Sequence, residues 1–175
     1  MKTYSNRSGF TLIEVIAILV IIGIITALAV TRFSSNPNNL ISAKDTLTSH
    51  LRLAQARAMN TSADNITTFS VWGVRFISTT QYHLFYCANA STCDPTIAAN
   101  QTAFLGAGST IIDLAPKGVQ VTNGALILAF DRFGTPFTNA ALTTSLATQL
   151  TLTLQDNKGN TRTINITPQT GMITS

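Results

Sequence analysis

Apolar residues follow three successive patterns along this chain. From Phe10 to Thr31 they are nearly continuous (FTLIEVIAILVIIGIITALAVT), 22 residues with Glu14 as the only charge. As a helix at ~1.5 Å per residue this run reaches roughly 33 Å, enough for the hydrocarbon core of a bilayer. Ser34-Ser35-Asn36-Pro37-Asn38-Asn39 interrupts it, because proline lacks a backbone donor and pushes Asn36 away from the α region. Leu40, Leu47, Leu51, Ala54 and Ala58 then recur at helical spacing, with Lys44, Asp45, Arg52 and Arg57 mostly off the stripe. That predicts a second helix lying on a sheet.

After Asn60 the period falls to two. Trp72, Val74 and Phe76 alternate with Gly73 and Arg75; Tyr82, Leu84 and Tyr86 with His83 and Phe85; Leu150, Leu152 and Leu154 with Thr151 and Thr153; Ile164 and Ile166 with Thr163 and Asn165. Residues 110–114, 119–121 and 125–130 add β-like runs, and Arg132-Phe133-Gly134 and Asn157-Lys158-Gly159 read as turns. The joins are mostly too short for helical crossovers, so the sheet is antiparallel and the fold class α+β.

Composition sharpens this plan. Only 10% of the 175 residues are charged, against roughly 25% in an ordinary soluble domain, and 45% are hydrophobic. A disordered chain is excluded, and so is a polytopic membrane protein, since only one block is continuously apolar. The 138 residues after Pro37 suffice for one domain with its own core. The net charge of +4 includes Lys2 and Arg7 ahead of the apolar block; from residue 10 on, nine cations face seven carboxylates. The two leading cations fit a cytoplasmic flank better than a nucleic-acid surface.

The N-terminal block has three readings. A secretory signal peptide would use Ala27-Leu28-Ala29 for cleavage, but the apolar run exceeds the usual ~7–15 residues. A central carboxylate would weaken insertion by ~2.5–3.5 kcal/mol. An ordinary signal anchor would let Glu14 reach the interface. The third reading gives Glu14 a partner.

Gly9-Phe10-Thr11-Leu12-Ile13-Glu14, after a short basic leader and before the apolar run, resembles the class III signal of type IV pilins and pseudopilins. The resemblance implies cleavage between Gly9 and Phe10 by a prepilin peptidase, N-methylation of Phe10, and a helix that serves first as membrane anchor and then as filament core. A new amine at Phe10 would be costly in an apolar filament interior unless paired with an anion such as Glu14 of a neighbouring subunit. Glu14 and Phe10 then set register. Gly23 is a candidate for local loosening of the helix on assembly, or simply a small residue for close packing. The implied long pilin helix covers residues 10–60, kinked near Pro37.

The implied organisation is a cleaved leader over 1–9, a transmembrane and filament-core helix over 10–33, the second half of the helix over 34–60, and a β-rich globular domain over 61–175. Leu51-Arg52-Leu53-Ala54-Gln55-Ala56-Arg57-Ala58, Leu128-Ala129-Phe130-Asp131-Arg132-Phe133-Gly134-Thr135-Pro136, Leu150 to Leu154, Gly159, Ile164-Asn165-Ile166 and Thr170-Gly171-Met172-Ile173 together resemble the GspH/FimT group of minor pseudopilins and minor pilins. The implied place is the bacterial inner membrane, single-pass with a periplasmic C-terminal domain, and then a filament. Implied partners are other pilins or pseudopilins, the prepilin peptidase and the inner-membrane assembly platform.

Cys87 and Cys93 lie beyond the membrane segment, where an oxidising periplasm favours a disulfide closing a small loop. A loop this short contributes less than the ~3 kcal/mol of a fifteen-residue one. A metal pair lacks further ligands, so no metal and no cofactor are expected. Catalytic signatures are missing: there is no G-x-S-x-G or H-E-x-x-H, and Gly106-Ala107-Gly108-Ser109-Thr110 has no following Lys for phosphate. His50 and His83 read as surface or satisfied, partly buried residues. No catalytic residue and no enzyme activity are expected.

The leading expectation is therefore a minor pilin-like subunit of a type IV pilus or a type II secretion pseudopilus, acting in assembly and initiation near the tip. A DNA-binding minor pilin for DNA uptake is the alternative from another class. It is disfavoured because Arg75, Lys117, Arg132, Lys158 and Arg162 are isolated in sequence, and Gly171 to Ser175 carries no arginine. Only folding could gather Arg132, Lys158 and Arg162, and nucleic acid is not an expected partner. A tip adhesin acting through the Cys87–Cys93 loop is a third reading. The closed loop and the Thr/Asn-rich domain lean towards a pilus, resembling minor pilins of mannose-sensitive haemagglutinin type.

Overall fold

The computed structural model describes residues 11–33, 37–61, 69–104, 108–124 and 126–175, with side chains placed over 11–26 and from 38 onward within those stretches. The chain divides into two units, residues 1–36 and 37–175. In the first, helix α1 runs over Leu12–Phe33. In the second, helix α2 runs over Pro37–Asn60. The single helix expected over 10–60 is thus described as two, and residues 34–36 between them lie outside the described residues. Pro37 takes the first position of α2, where its missing N–H has no intrahelical partner to lose.

The apolar stripe of α2 is its buried face: Leu40, Ala43, Leu47, Leu51, Ala54 and Ala58 all lie in the core. Its last turn is tied down by side chains. The Thr61 hydroxyl donates to the Arg57 carbonyl at 2.7 Å and accepts from the Trp72 indole N–H at 2.8 Å, while the Arg57 guanidinium lies 4.8 Å over the Trp72 ring.

Two antiparallel sheets share α2. The first contains β1 (Val71–Phe76), β2 (Gln81–Cys87), β3 (Gln101–Thr102), β4 (Ile111–Asp113), β6 (Ile127–Phe130) and β7 (Pro136–Phe137), in the order β3-β2-β1-β6-β7. The short strand β4 pairs with β2 along the same edge as β3. The second sheet has the order β10-β9-β8-β5, with β5 (Val119–Val121), β8 (Leu150–Asp156), β9 (Thr161–Ile166) and β10 (Ile173–Thr174). Helix α2 contacts strands of both sheets, and Leu51, Phe76, Leu84, Leu128, Leu152 and Ile164 belong to one continuous core beneath it. The architecture is α+β, an N-terminal helix followed by an antiparallel β-rich domain, consistent with the type IV pilin fold.

Strand β2 departs from simple alternation. Tyr82, His83, Leu84 and Phe85 are all buried. The physical reason is a second apolar layer on the outer face of the first sheet, where Val71, Phe85, Cys87, Ala90, Ala129 and Ala140 cluster. Gly73 makes room for it: a Cβ there would lie 2.5 Å from the Phe85 ring and 2.6 Å from the Leu128 carbonyl.

A second long-range device joins α2 to the C-terminus. The Gln55 side-chain amide donates towards the carbonyls of Gly134 (3.0 Å), Thr170 (3.2 Å) and Gly171 (3.1 Å), and Arg52 donates to the Ile173 carbonyl at 2.9 Å. Gly171 has φ +62°, and a Cβ on it would clash with the Gly134 carbonyl. The turn it meets is built by Asp131, whose carboxylate accepts from the Phe133 and Thr135 N–H groups at 2.9 and 2.8 Å.

Candidate functional site

The candidate site is the start of the chain. Gly9 and Phe10 lie outside the described residues. Thr11 opens α1: its carbonyl accepts from the N–H of Glu14 at 3.1 Å and of Val15 at 3.3 Å. Thr11-Leu12-Ile13-Glu14 has the Thr-x-x-Glu spacing of a capping box. A carboxylate in the first turn is also favoured by the helix dipole. Glu14 is exposed and, among the described residues, makes no ion pair.

Every described side chain of α1 is exposed, with Leu12 at 78% and Ile13 at 72%. The run Leu19, Val20, Ile21, Ile22 presents apolar surface in all directions around the helix. A helix apolar all round is stable only when surrounded by other apolar material. Among the described residues, no helix is long and apolar enough to cross a membrane. Gly23 has no neighbouring atom within 4 Å of a Cβ position, and the Thr26 hydroxyl donates back to the Ile22 carbonyl at 2.7 Å. Such back-bonding slightly weakens and bends a helix.

In the second unit Cys87 and Cys93 are joined by a disulfide. Between them, Ala90–Thr92 form a 3-10 turn capped by the Asn89 side chain, which accepts from the Ser91 N–H at 3.0 Å. Ser91 and Thr92 are exposed, whereas Ala90 is buried in the outer apolar cluster.

His50 is satisfied and partly buried, as expected, and His83 is not. His50 stacks on Phe104 with ring centroids 3.7 Å apart and shares a 3.0 Å hydrogen bond with the Tyr82 hydroxyl. Burial, and after it the Lys117 charge, lowers its pKa from 6.5 to about 4. Burial also pushes the Tyr82 hydroxyl well above its ordinary range. His83 is not a surface or satisfied residue. It is fully buried, and neither ring nitrogen has a hydrogen-bond partner among the described residues.

Arg132 is not gathered with Lys158 and Arg162: its turn meets α2 at Gln55, whereas Arg162 lies beside Leu40 and Ile41. Arg132 sits in the β6–β7 turn of the first sheet, its guanidinium 5.0 Å from the Phe69 ring and 4.8 Å from the Phe133 ring. Lys158 and Arg162 belong to the β8–β9 hairpin of the second. Among the described residues no group of three or more His, Cys, Asp or Glu could hold a metal ion.

A family profile described as the prokaryotic N-terminal methylation motif matches residues 4–30. The chain carries the methylation signal of the type IV pilin-like class. That motif indicates a structural subunit and not an enzyme, implies processing by a prepilin peptidase and assembly into filaments with other pilins, and suggests membrane anchorage followed by residence in a filament. Comparison with curated proteins and with solved structures gives no match. Sequence reasoning missed Gln55 as the residue that binds two distant loops; its place beside Arg52 in one helix motif was the only local signal.

Proposed function

We propose that this protein is a minor pilin-like subunit that helps initiate or cap a filament near its tip, in a type IV pilus or a type II secretion pseudopilus. One observation carries the reading: a helix whose described residues are apolar on every side, holding a single first-turn carboxylate, lies largely within the methylation motif. In this account residues 1–9 are removed between Gly9 and Phe10. Residues 10–33 span the inner membrane once before assembly, and residues 34–60 with the β-rich domain over 61–175 face the periplasm. The methylated amine of Phe10 pairs with Glu14 of a neighbouring subunit once both leave the membrane, because two opposite charges in an apolar filament core cost far less together than apart. Gly23 gives the helix local freedom on assembly, and Pro37 starts the segment that packs on the sheets. The resemblance of the helix and C-terminal motifs to the GspH/FimT group supports a minor rather than a major role.

The disulfide-closed turn with exposed Ser91 and Thr92 supports a second reading, attachment through that loop at the filament tip. DNA uptake draws no such support, since Arg132 is engaged with two aromatic rings away from Lys158 and Arg162.

A strain lacking the gene, with a complemented control, tests the proposal. Loss of sheared surface filaments with normal secretion identifies a pilus subunit, and exoproteins retained in the periplasm with intact filaments identify a pseudopilin. Unchanged filaments together with unchanged secretion would contradict both.

A further inference from the structure

His83 is the one buried polar side chain whose nitrogen atoms lack partners among the described residues. A buried polar group left unbonded costs about 1–3 kcal/mol, so its position calls for an explanation. The residue lies on the outer face of the first sheet, opposite Arg75 of β1 on one side and Ile111 of β4 on the other. Above it runs the chain that leaves β2 at Cys87 and returns as β3 at Gln101. Pro95 in that chain is buried, and its carbonyl lies beside the His83 ring, outside good hydrogen-bond geometry, where it favours the protonated form.

Residues 94–100 are bonded to themselves. Asp94 accepts from the Thr96 N–H at 2.8 Å through its side chain, and from the Ile97 N–H at 3.3 Å and the Asn100 amide at 2.9 Å through its carbonyl. Asn100 N–H donates to Ile97, and the Gln101 amide to Thr96. Among the described residues these hydrogen bonds all stay within 94–101, so the segment rests on the sheet by packing, by the attraction between Asp94 and Arg75 and by the Pro95 carbonyl beside His83. Cys93, held by the disulfide, anchors one end, and the β2–β3 ladder anchors the other.

We propose that His83 is a proton-operated latch: with its ring neutral, residues 94–100 lie closed over the outer sheet face, and a proton on the ring releases them as a unit. Of the charged groups around it, Arg75 favours that outcome and Asp94 opposes it. From β1, Arg75 repels an imidazolium. From β4 only Ile111 faces His83, and Asp113 further along that strand is engaged with the Gln81 amide at 3.3 Å. From the loop, Asp94 stays ionised, because its bonds to Thr96 hold its carboxyl below the ordinary range, and its attraction to Arg75 opposes release at either pH. Strand β3 contributes Gln101 and Thr102, which are uncharged. Burial first and Arg75 second hold the His83 pKa below 6.5, against a smaller opposing effect of the Pro95 carbonyl. The sign follows: closure is fully favoured above the pKa of an exposed histidine and weakens as pH falls below it, since the open form takes up the proton first.

Hydroxyl-radical labelling of the full-length chain in detergent micelles tests this, read at Pro95, with Ile164 of the core as internal control. Between about pH 7.5 and about pH 5, the range in which histidine changes charge, Pro95 labelling should rise by up to about thirtyfold, the limit set by protonation of an exposed histidine at about pH 5, with Ile164 unchanged. In His83→Leu, which keeps Asp94, Arg75 and His50, it should stay flat. Constant Pro95 labelling in the wild type, or an equal rise in His83→Leu, overturns the latch. Should that variant fail to fold, imidazole NMR of the wild type decides: a His83 resonance titrating at the ordinary histidine pKa, or at a pH unrelated to the Pro95 change, overturns it equally.

Discussion

Glu14 shows what a single residue can and cannot disclose. Its sequence position fits a capping box as well as a charge partner in a filament, and the two roles respond differently to substitution. Glu14→Gln keeps a side-chain acceptor at the helix start and removes the charge. On our account it accumulates in membranes normally yet enters sheared filaments about tenfold less or worse, since an unpaired buried charge costs several kcal/mol; immunoblots of the two fractions measure this, and wild-type incorporation would assign Glu14 to capping alone. Gln55 is a structural residue with several distant dependents. Gln55→Ala should lower unfolding stability by about 1–3 kcal/mol, because part-buried carbonyls of Gly134 and Gly171 lose their donor. Gly171→Ala should cost more than about 1 kcal/mol through its positive φ and its clash with Gly134; denaturant melts of both variants check the pair. His50 adds a pH dependence. Its pKa is lowered from 6.5 to about 4, so the stability it contributes is fully present above 6.5, declines as unfolded chains bind protons, and is lost once pH falls through about 4. His50→Phe should flatten that part of a urea-unfolding profile measured across the range.

At the scale of elements, periodicity made much of the fold legible. The stripe from Leu40 to Ala58 is the buried face of α2, and β1, β5, β8 and β9 lie where the alternation of apolar residues places them. Strands β3, β7 and β10 escaped notice because each has two residues, too few to show a period, and exists through a partner chosen by tertiary structure. The double burial of β2 was hidden for a related reason. Alternation reports a sheet with one covered face, and here Phe85 is covered by a cluster that includes Ala129 and Ala140, far along the chain, while His83 lies beneath the chain that follows β2. The clamp of Gln55 on Gly134 and Gly171 joins three segments that sequence could quote only one at a time. The disulfide is the element with the smallest expected mechanical reach. Exchanging Cys87 and Cys93 for serine should leave filament incorporation intact and lower domain stability by less than ~3 kcal/mol; the same strain assayed for attachment decides whether the loop has an adhesive role.

The whole molecule combines a domain that buries its own core with a helix that exposes apolar surface on every side. The domain carries its stability within residues 37–175, whereas α1 requires an apolar environment supplied from outside. A membrane followed by a bundle of like helices meets that requirement at two stages, and the methylation motif over residues 4–30 marks the processing step between synthesis and assembly. The most direct test is the chain's own N-terminus. Mass spectrometry of the protein from inner membranes and from sheared filaments or pseudopili should find, in the assembled fraction, a mature chain that begins with N-methylated Phe10. A chain retaining Met1 in the assembled fraction, or a soluble periplasmic form beginning at Val30 after cleavage behind Ala29, would contradict the account.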